Sequence, residues 1–195
     1  MEALDLLDWK RRVFDLYAAV RADDDPQRAW QLWRTTRDRL IATHPQSPRV
    51  GAQASYFAYD PALRFLAEPE PVEPESLEIA GSAESVVRFT RLARVRLPVG
   101  ELDLYWLDAY GGGLFLPFRD ATAGTETYGA GRYLLDTVKG ADLGTDADGK
   151  LVLDFNFAYN PSCSYDDRWP CPLAPPANRL EAGIRAGERH TRIPD

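Results

Sequence analysis

Sulfur and imidazole are scarce in this chain. Its 195 residues include two cysteines, one methionine and two histidines. Two cysteines exclude a disulfide framework of the kind that holds small secreted domains together. Cys163 and Cys171 are separated by seven residues, whereas a redox dithiol needs the Cys-x-x-Cys spacing and zinc loops usually have two to four intervening residues. A Cys2His2 zinc site would have to recruit both His44 and His190. The other readings of this pair are two buried small hydrophobes, a local disulfide, or a cysteine activated by a histidine that the fold brings close. Positive charge is also in short supply: the formal net charge is −7, which excludes a broad basic surface for nucleic acid. No apolar run approaches the length of a membrane span, and Met1–Asp8 lacks a basic-then-apolar signal. The expectation is a soluble cytoplasmic protein without a membrane partner. Gly129-Ala130-Gly131 lacks the third glycine of a dinucleotide loop, and no cofactor is expected.

Aromatic residues are plentiful. Five tryptophans, nine tyrosines and eight phenylalanines supply a core large enough for one domain over residues 1–195. Residues 1–45 read as a helical arm. Leu6, Trp9, Val13, Leu16 or Tyr17, and Val20 recur at three- and four-residue steps. Asp23-Asp24-Asp25-Pro26 ends that helix and opens another, with Asp25 as cap and Pro26 at the first helical position. The second helix presents Ala29, Trp30, Leu32, Trp33, Thr36 and Leu40, and stops before His44-Pro45.

Residues 50–195 read as mainly β. Tyr56–Pro61 is a short strand entering a turn. The Pro/Glu stretch Glu68–Glu78 reads as a surface loop. Val87, Phe89, Ala93, Val95 and Leu97 alternate with polar residues, and Arg91 breaks the apolar face. Arg88, Arg91, Arg94 and Arg96 form a basic strip, read as a solvated face balanced by acids. Leu102–Tyr110 and Leu114–Phe118 should form a hairpin around Gly111-Gly112-Gly113. Further strands are expected near Gly131–Val138, Leu151–Phe157 and Leu180–Arg185. Helices followed by strands on short turns predict an α+β fold: two N-terminal helices packed on an antiparallel, barrel- or sandwich-like sheet.

Leu153–Leu180, LDFNFAYNPSCSYDDRWPCPLAPPANRL, fits no regular element, yet it carries Phe155, Phe157, Tyr159, Tyr165 and Trp169. Such aromatics are costly to leave in water. An ordered loop folded against the core is expected, and ordered loops commonly carry sites. Together with PFRDATAGTETYGAGRYL at 117–134, AGER at 186–189 and FAYDPALRF at 57–65, this stretch resembles domain-of-unknown-function family 1684 of bacteria and archaea. Many members are longer and differ in their N-terminal half, so the chain resembles a short form. The family has no established activity, so the resemblance assigns no catalytic residue.

The candidate site residues fall into two groups. Arg119, Asp120, Tyr128 and Arg132 follow or precede strands at one end of the sheet, where a guanidinium suits an anion. Asp154, Asn156, Tyr159 and Asn160 offer a carboxylate, two amides and a phenol, with Asp154 and Asn156 on one side of an alternating strand. Asp154, and secondarily Asp120, are the candidate general bases. The leading expectation is a pocket that binds or turns over a small polar or anionic molecule. The alternative is a non-enzymatic interaction module in which the same residues only brace the loop.

Overall fold

The computed structural model describes residues 2–80 and 86–190. Helices α1 (Glu2–Arg21) and α2 (Pro26–Thr43) form an antiparallel pair. Asp25 caps α2 as its sequence requires, accepting hydrogen bonds from Gln27 N and Arg28 N. His44 ends the helix in extended backbone, ahead of Pro45. Leu16, Tyr17 and Val20 of α1 and Ala29, Trp30, Trp33, Leu40 and Ile41 of α2 are buried, whereas Leu6 and Leu32 stay exposed.

The strands follow as β1 (Ser55–Tyr56), β2 (Arg64–Ala67), β3 (Glu70–Ala80), β4 (Val86–Leu97), β5 (Gly100–Leu107), β6 (Leu114–Phe118), β7 (Arg132–Asp136), β8 (Leu151–Asp154) and β9 (Glu188–Arg189). Strands β3 to β7 form one antiparallel five-stranded sheet in sequence order. It stays open, so the barrel form of the expectation gives way to the sandwich-like one. β2 pairs with β8, and β1 with β9, in two small antiparallel sheets.

Alternation along β5 sends Leu102 and Leu104 into the large core beneath α1 and α2, and Tyr105 into a second cluster with Phe89, Phe115 and Tyr133. In that cluster Phe89 stacks on Phe115 and Phe115 meets Tyr133 edge to face. The break at Arg91 is a bulge. Register shifts between Arg91 and Ala93, Leu92 is the extra residue, and alternation resumes at Ala93.

Three local expectations change. Most of Glu68–Glu78 is strand β3, not a loop. It is an edge strand paired only with β4, and register slips between Pro71 and Glu75, which takes Pro74 out of the ladder. Its glutamates meet the basic strip across the strands: Glu75 pairs with Arg91, and Glu78 with Arg88. Second, β8 stops at Asp154, whose side chain accepts from Asn156 N and starts a short 3-10 turn over Phe155–Phe157. Third, Leu180–Arg185 is not a strand. The Ile184 and Ala186 carbonyls accept from the Arg132 guanidinium, and strand pairing returns only at β9.

The Pro-rich segment is ordered and inward-facing. Phe155, Phe157, Tyr165, Cys163 and Cys171 are buried. Asn178 shows how such a segment is held. β5 and β6 pair only at Tyr105–Phe115 and Trp106–Leu114 and then separate. Asn178 enters the gap: its Oδ1 accepts from Asp103 N at 2.9 Å, and its Nδ2 donates to Asp103 O at 2.9 Å and Pro117 O at 2.7 Å. The fully buried amide supplies partners that a strand would otherwise give.

Candidate functional site

The eight candidate residues do not gather in one place. Asp120 and Arg132 form a buried ion pair at 2.6 Å. Arg132 also donates to the carbonyls of Ala186 at 2.5 Å, Ile184 at 2.8 Å and Glu188 at 3.2 Å. The other oxygen of Asp120 accepts from Thr122 N and Oγ1. Burial pulls the Arg132 pKa down, against the opposing pull of Asp120. The pair thus ties the start of β7 to the AGER segment. Asn156 is equally committed, exchanging hydrogen bonds with the Asp60 backbone in both directions. Arg119 holds its neighbours through backbone bonds to Asn178 and Leu180, while its side chain is exposed. The Tyr128 hydroxyl reaches Cys163 O at 3.5 Å.

Tyr159 and Asn160 line a cavity of about 90 Å³ between the helices and the sheet. Trp9, Leu16, Trp33 and Ile41 form apolar wall, and Tyr17, Arg37, Lys139 and Ser162 add polar groups. Three donors in this wall have no acceptor among the described residues, beside one amide oxygen without a donor. Arg37 gives Nε and Nη2 to Glu188 Oε2 at 3.0 and 2.8 Å, leaving Nη1 without a hydrogen bond among the described residues. The Tyr17 hydroxyl accepts from Trp33 Nε1 at 3.1 Å, so its own proton remains for donation. The Tyr159 hydroxyl bonds no described residue, and the Arg37 guanidinium lies 4.8 Å from its ring centre. Burial raises the pKa of both phenols, which keeps both protonated and able to donate. Asn160 is 4 % exposed, and its Oδ1 has no partner among the described residues.

Glu188 stands behind this wall at 1 % exposure. It accepts from Arg37, from Asn160 N at 3.0 Å and from the Tyr165 hydroxyl. Burial pushes its pKa up, and Arg37 draws it back. For Arg37 burial works against the charge and is the largest single influence, but Glu188 together with Tyr56, Tyr159 and Tyr17 outweighs it, and the net shift is upward. Neither residue was among the sequence candidates. Their signals were present: Arg37 occupies a place in the apolar stripe Trp30, Trp33, Leu40, and Glu188 follows the Ala186-Gly187 turn within the AGER stretch.

Asp154 lines a separate cleft of about 290 Å³ with Asp23, Asp24, Asp146, Arg21 and Arg64. Burial pushes its carboxyl up to about 6. Arg119, Asp120, Tyr128 and Arg132 line neither space. Both cysteines are buried, no disulfide joins them, and Cys163 N donates to Cys171 Sγ at 3.3 Å. His44 is occupied by Asp8 and by Gln46 N. Among the described residues no three of His, Cys, Asp and Glu gather as metal ligands would.

Residues 52–189 match the model of the family described as protein of unknown function DUF1684. The chain belongs to the DUF1684 family. A solution NMR structure of an uncharacterised protein of Haloarcula marismortui is similar to this DUF1684 chain, at 36% identity and a TM-score of 0.55. The similarity covers 82% of this chain and 91% of that one. No curated protein matches. In this DUF1684 chain α1 and α2 precede the matched residues. The smaller cavity is therefore composite: family residues such as Tyr159 and Asn160 form one wall and the helices the other. No helix is long and apolar enough to cross a membrane among the described residues.

Proposed function

We propose that the protein binds a small anionic molecule, a short carboxylate with a compact apolar body, in the cavity beneath α1 and α2. The observation that carries this reading is a set of uncommitted donors on residues that line one cavity: the buried Tyr17 phenol, the half-buried Tyr159 phenol and one Arg37 guanidinium nitrogen. Such donors in an apolar enclosure suit a carboxylate, which accepts up to four hydrogen bonds and donates none. The Lys139 ammonium adds positive charge at the rim; it is 61% exposed and pairs with Asp136 at 3.4 Å. Size sets the ligand class. At about 90 Å³ the cavity is smaller than the ~150 Å³ that admits benzene, which suits roughly four to six non-hydrogen atoms. Tyr159 and Asn160 would contact the ligand, and Asp120, Arg132 and Asn156 would maintain the surrounding frame.

Thermal unfolding with propionate, isobutyrate and the neutral isostere isobutyramide tests this. The carboxylates should raise the melting temperature and the amide should not; a ligand at about 100 times its Kd adds ~2.7 kcal/mol. Equal stabilisation by the amide, or none by any carboxylate, would remove the reading. The full commitment of Asp120, Arg132 and Asn156 to internal bonds favours a second reading, an interaction module without a small ligand. The second outcome would support it.

A further inference from the structure

Asp154 has a burial that its internal role does not explain. Its Oδ1 accepts from Asn156 N at 3.0 Å and Asn156 Nδ2 at 2.8 Å and so starts the turn after β8. Its Oδ2 accepts no hydrogen bond among the described residues, although the residue is 1% exposed. The nearest cation, Arg64 Nε, is 3.8 Å away, beyond hydrogen-bond reach. Leaving a buried carboxylate oxygen without a donor is unfavourable. An asparagine could start the same turn through its own Oδ1 without a buried charge.

The residue lines the wider cleft, which shares no lining residue with the Arg37 cavity. Asp23, Asp24 and Asp146 stand in the same wall against Arg21 and Arg64, so four carboxylates face two guanidiniums. Arg21 is turned to Asp142 O at 2.6 Å, and Asp23 is held by Arg28. Asp24 is exposed at the mouth. Val20, Val152 and Phe157 give the cleft an apolar side. The complement is a compact positive charge with N–H donors on a short alkyl chain. Metal-ligand geometry is missing among the described residues, whereas a primary ammonium needs no fixed ligand set and carries three donors.

We infer that this cleft is a second binding site, for a small primary ammonium that donates to Asp154 Oδ2. Asp24 supplies charge at the mouth, and Val20 and Phe157 meet the alkyl chain. The groups that bear on Asp154 are Arg64 of β2, Arg21 of α1, Asp23 and Asp24 of the helix turn, Asp146 of the loop before β8, and Tyr59. Asp154 titrates near 6, so occupancy weakens as pH falls through that value.

The test is a ¹H–¹⁵N NMR titration of the whole protein with n-propylammonium chloride, with n-propanol as the neutral control. At about pH 7.5, where the carboxylate is ionised, the amine should give saturable shifts at the amides of 154–157 and 23–24. The alcohol should give none. Asp154→Asn should weaken the amine by at least about tenfold, the loss of a charge-assisted hydrogen bond, without lowering the melting temperature. Asp24→Asn, which leaves the buried carboxylate in place, should weaken it less. An unchanged titration in Asp154→Asn, equal shifts with propanol, or no saturable shift overturns the inference. Because the two spaces share no residue, the carboxylate reading stands or falls separately.

Discussion

At the residue scale, Asp154 makes the sharpest statement about stability. Its folded-state pKa of about 6 lies above the ordinary 3.8. Folding therefore favours the protonated form. That contribution is complete below about 3.8 and is lost as pH rises through about 6. Asp154→Asn mimics the protonated side chain and keeps the Oδ1 acceptor. It should raise stability at about pH 8 by up to about 3 kcal/mol, from ~1.4 kcal/mol per pKa unit, and change it little at about pH 4. Thermal melts of both proteins at the two pH values measure this. A lower melting temperature for the variant at the higher pH would mean that the carboxylate braces the fold. Residue types were legible in the sequence, but their partners were not. Asp120 read as a ligand group or as a brace of its own turn, and Arg132 as a side chain that could face a ligand, because nothing local reveals that the Ile184, Ala186 and Glu188 carbonyls converge on one guanidinium beside Asp120.

At the element scale, the parts governed by local rules were readable. The Asp25 cap, Pro26 at the helix start, the stop before Pro45 and the β5–β6 hairpin all rest on short-range sterics and hydrogen bonding. The parts governed by distant partners were not. β3 looked like a loop because Pro71 and Pro74 weaken its strand signal, and only the pairing with β4 and the register slip accommodate them. Alternation over Asp154–Phe157 suggested more strand, but the Asp154 cap ends it. Gly187 carries the clearest consequence. Its φ is +73°, and a Cβ there would collide with the carbonyl oxygens of Ala158 and Phe155. Gly187→Ala should therefore displace β9 and Glu188 and destabilise by well over the ~1 kcal/mol of an ordinary glycine substitution. Urea unfolding gives the number. A change within ~0.5 kcal/mol would show that the turn relaxes freely.

At the scale of the whole molecule, the helices and the family region meet through a charge pair as well as a core. Arg37 of α2 and Glu188 of β9 are 151 positions apart in sequence, and Glu188 is almost wholly buried. Arg37→Met leaves that carboxylate without its cation. The expected loss is about 3–5 kcal/mol near pH 7. Because the pKa of Glu188 is already raised, the loss should shrink as the pH is lowered and the carboxyl protonates. Urea unfolding across that range checks it; a pH-independent loss would point to packing alone. The small cavity lies at the same junction, with Arg37 in its wall, so its shape depends on both parts.

The most direct measurement is an NMR titration with isobutyrate on the wild-type protein and on Tyr159→Phe, which removes one hydroxyl that bonds no described residue. The expected result is saturable shifts centred on Tyr17, Arg37, Tyr159 and Asn160 in the wild type. In the variant the affinity should be several-fold weaker, by the ~0.5–1.5 kcal/mol of one hydrogen bond, with the melting temperature unchanged. Shifts scattered over the exposed surface, or equal affinity in the two proteins, would contradict a carboxylate site beneath the helices.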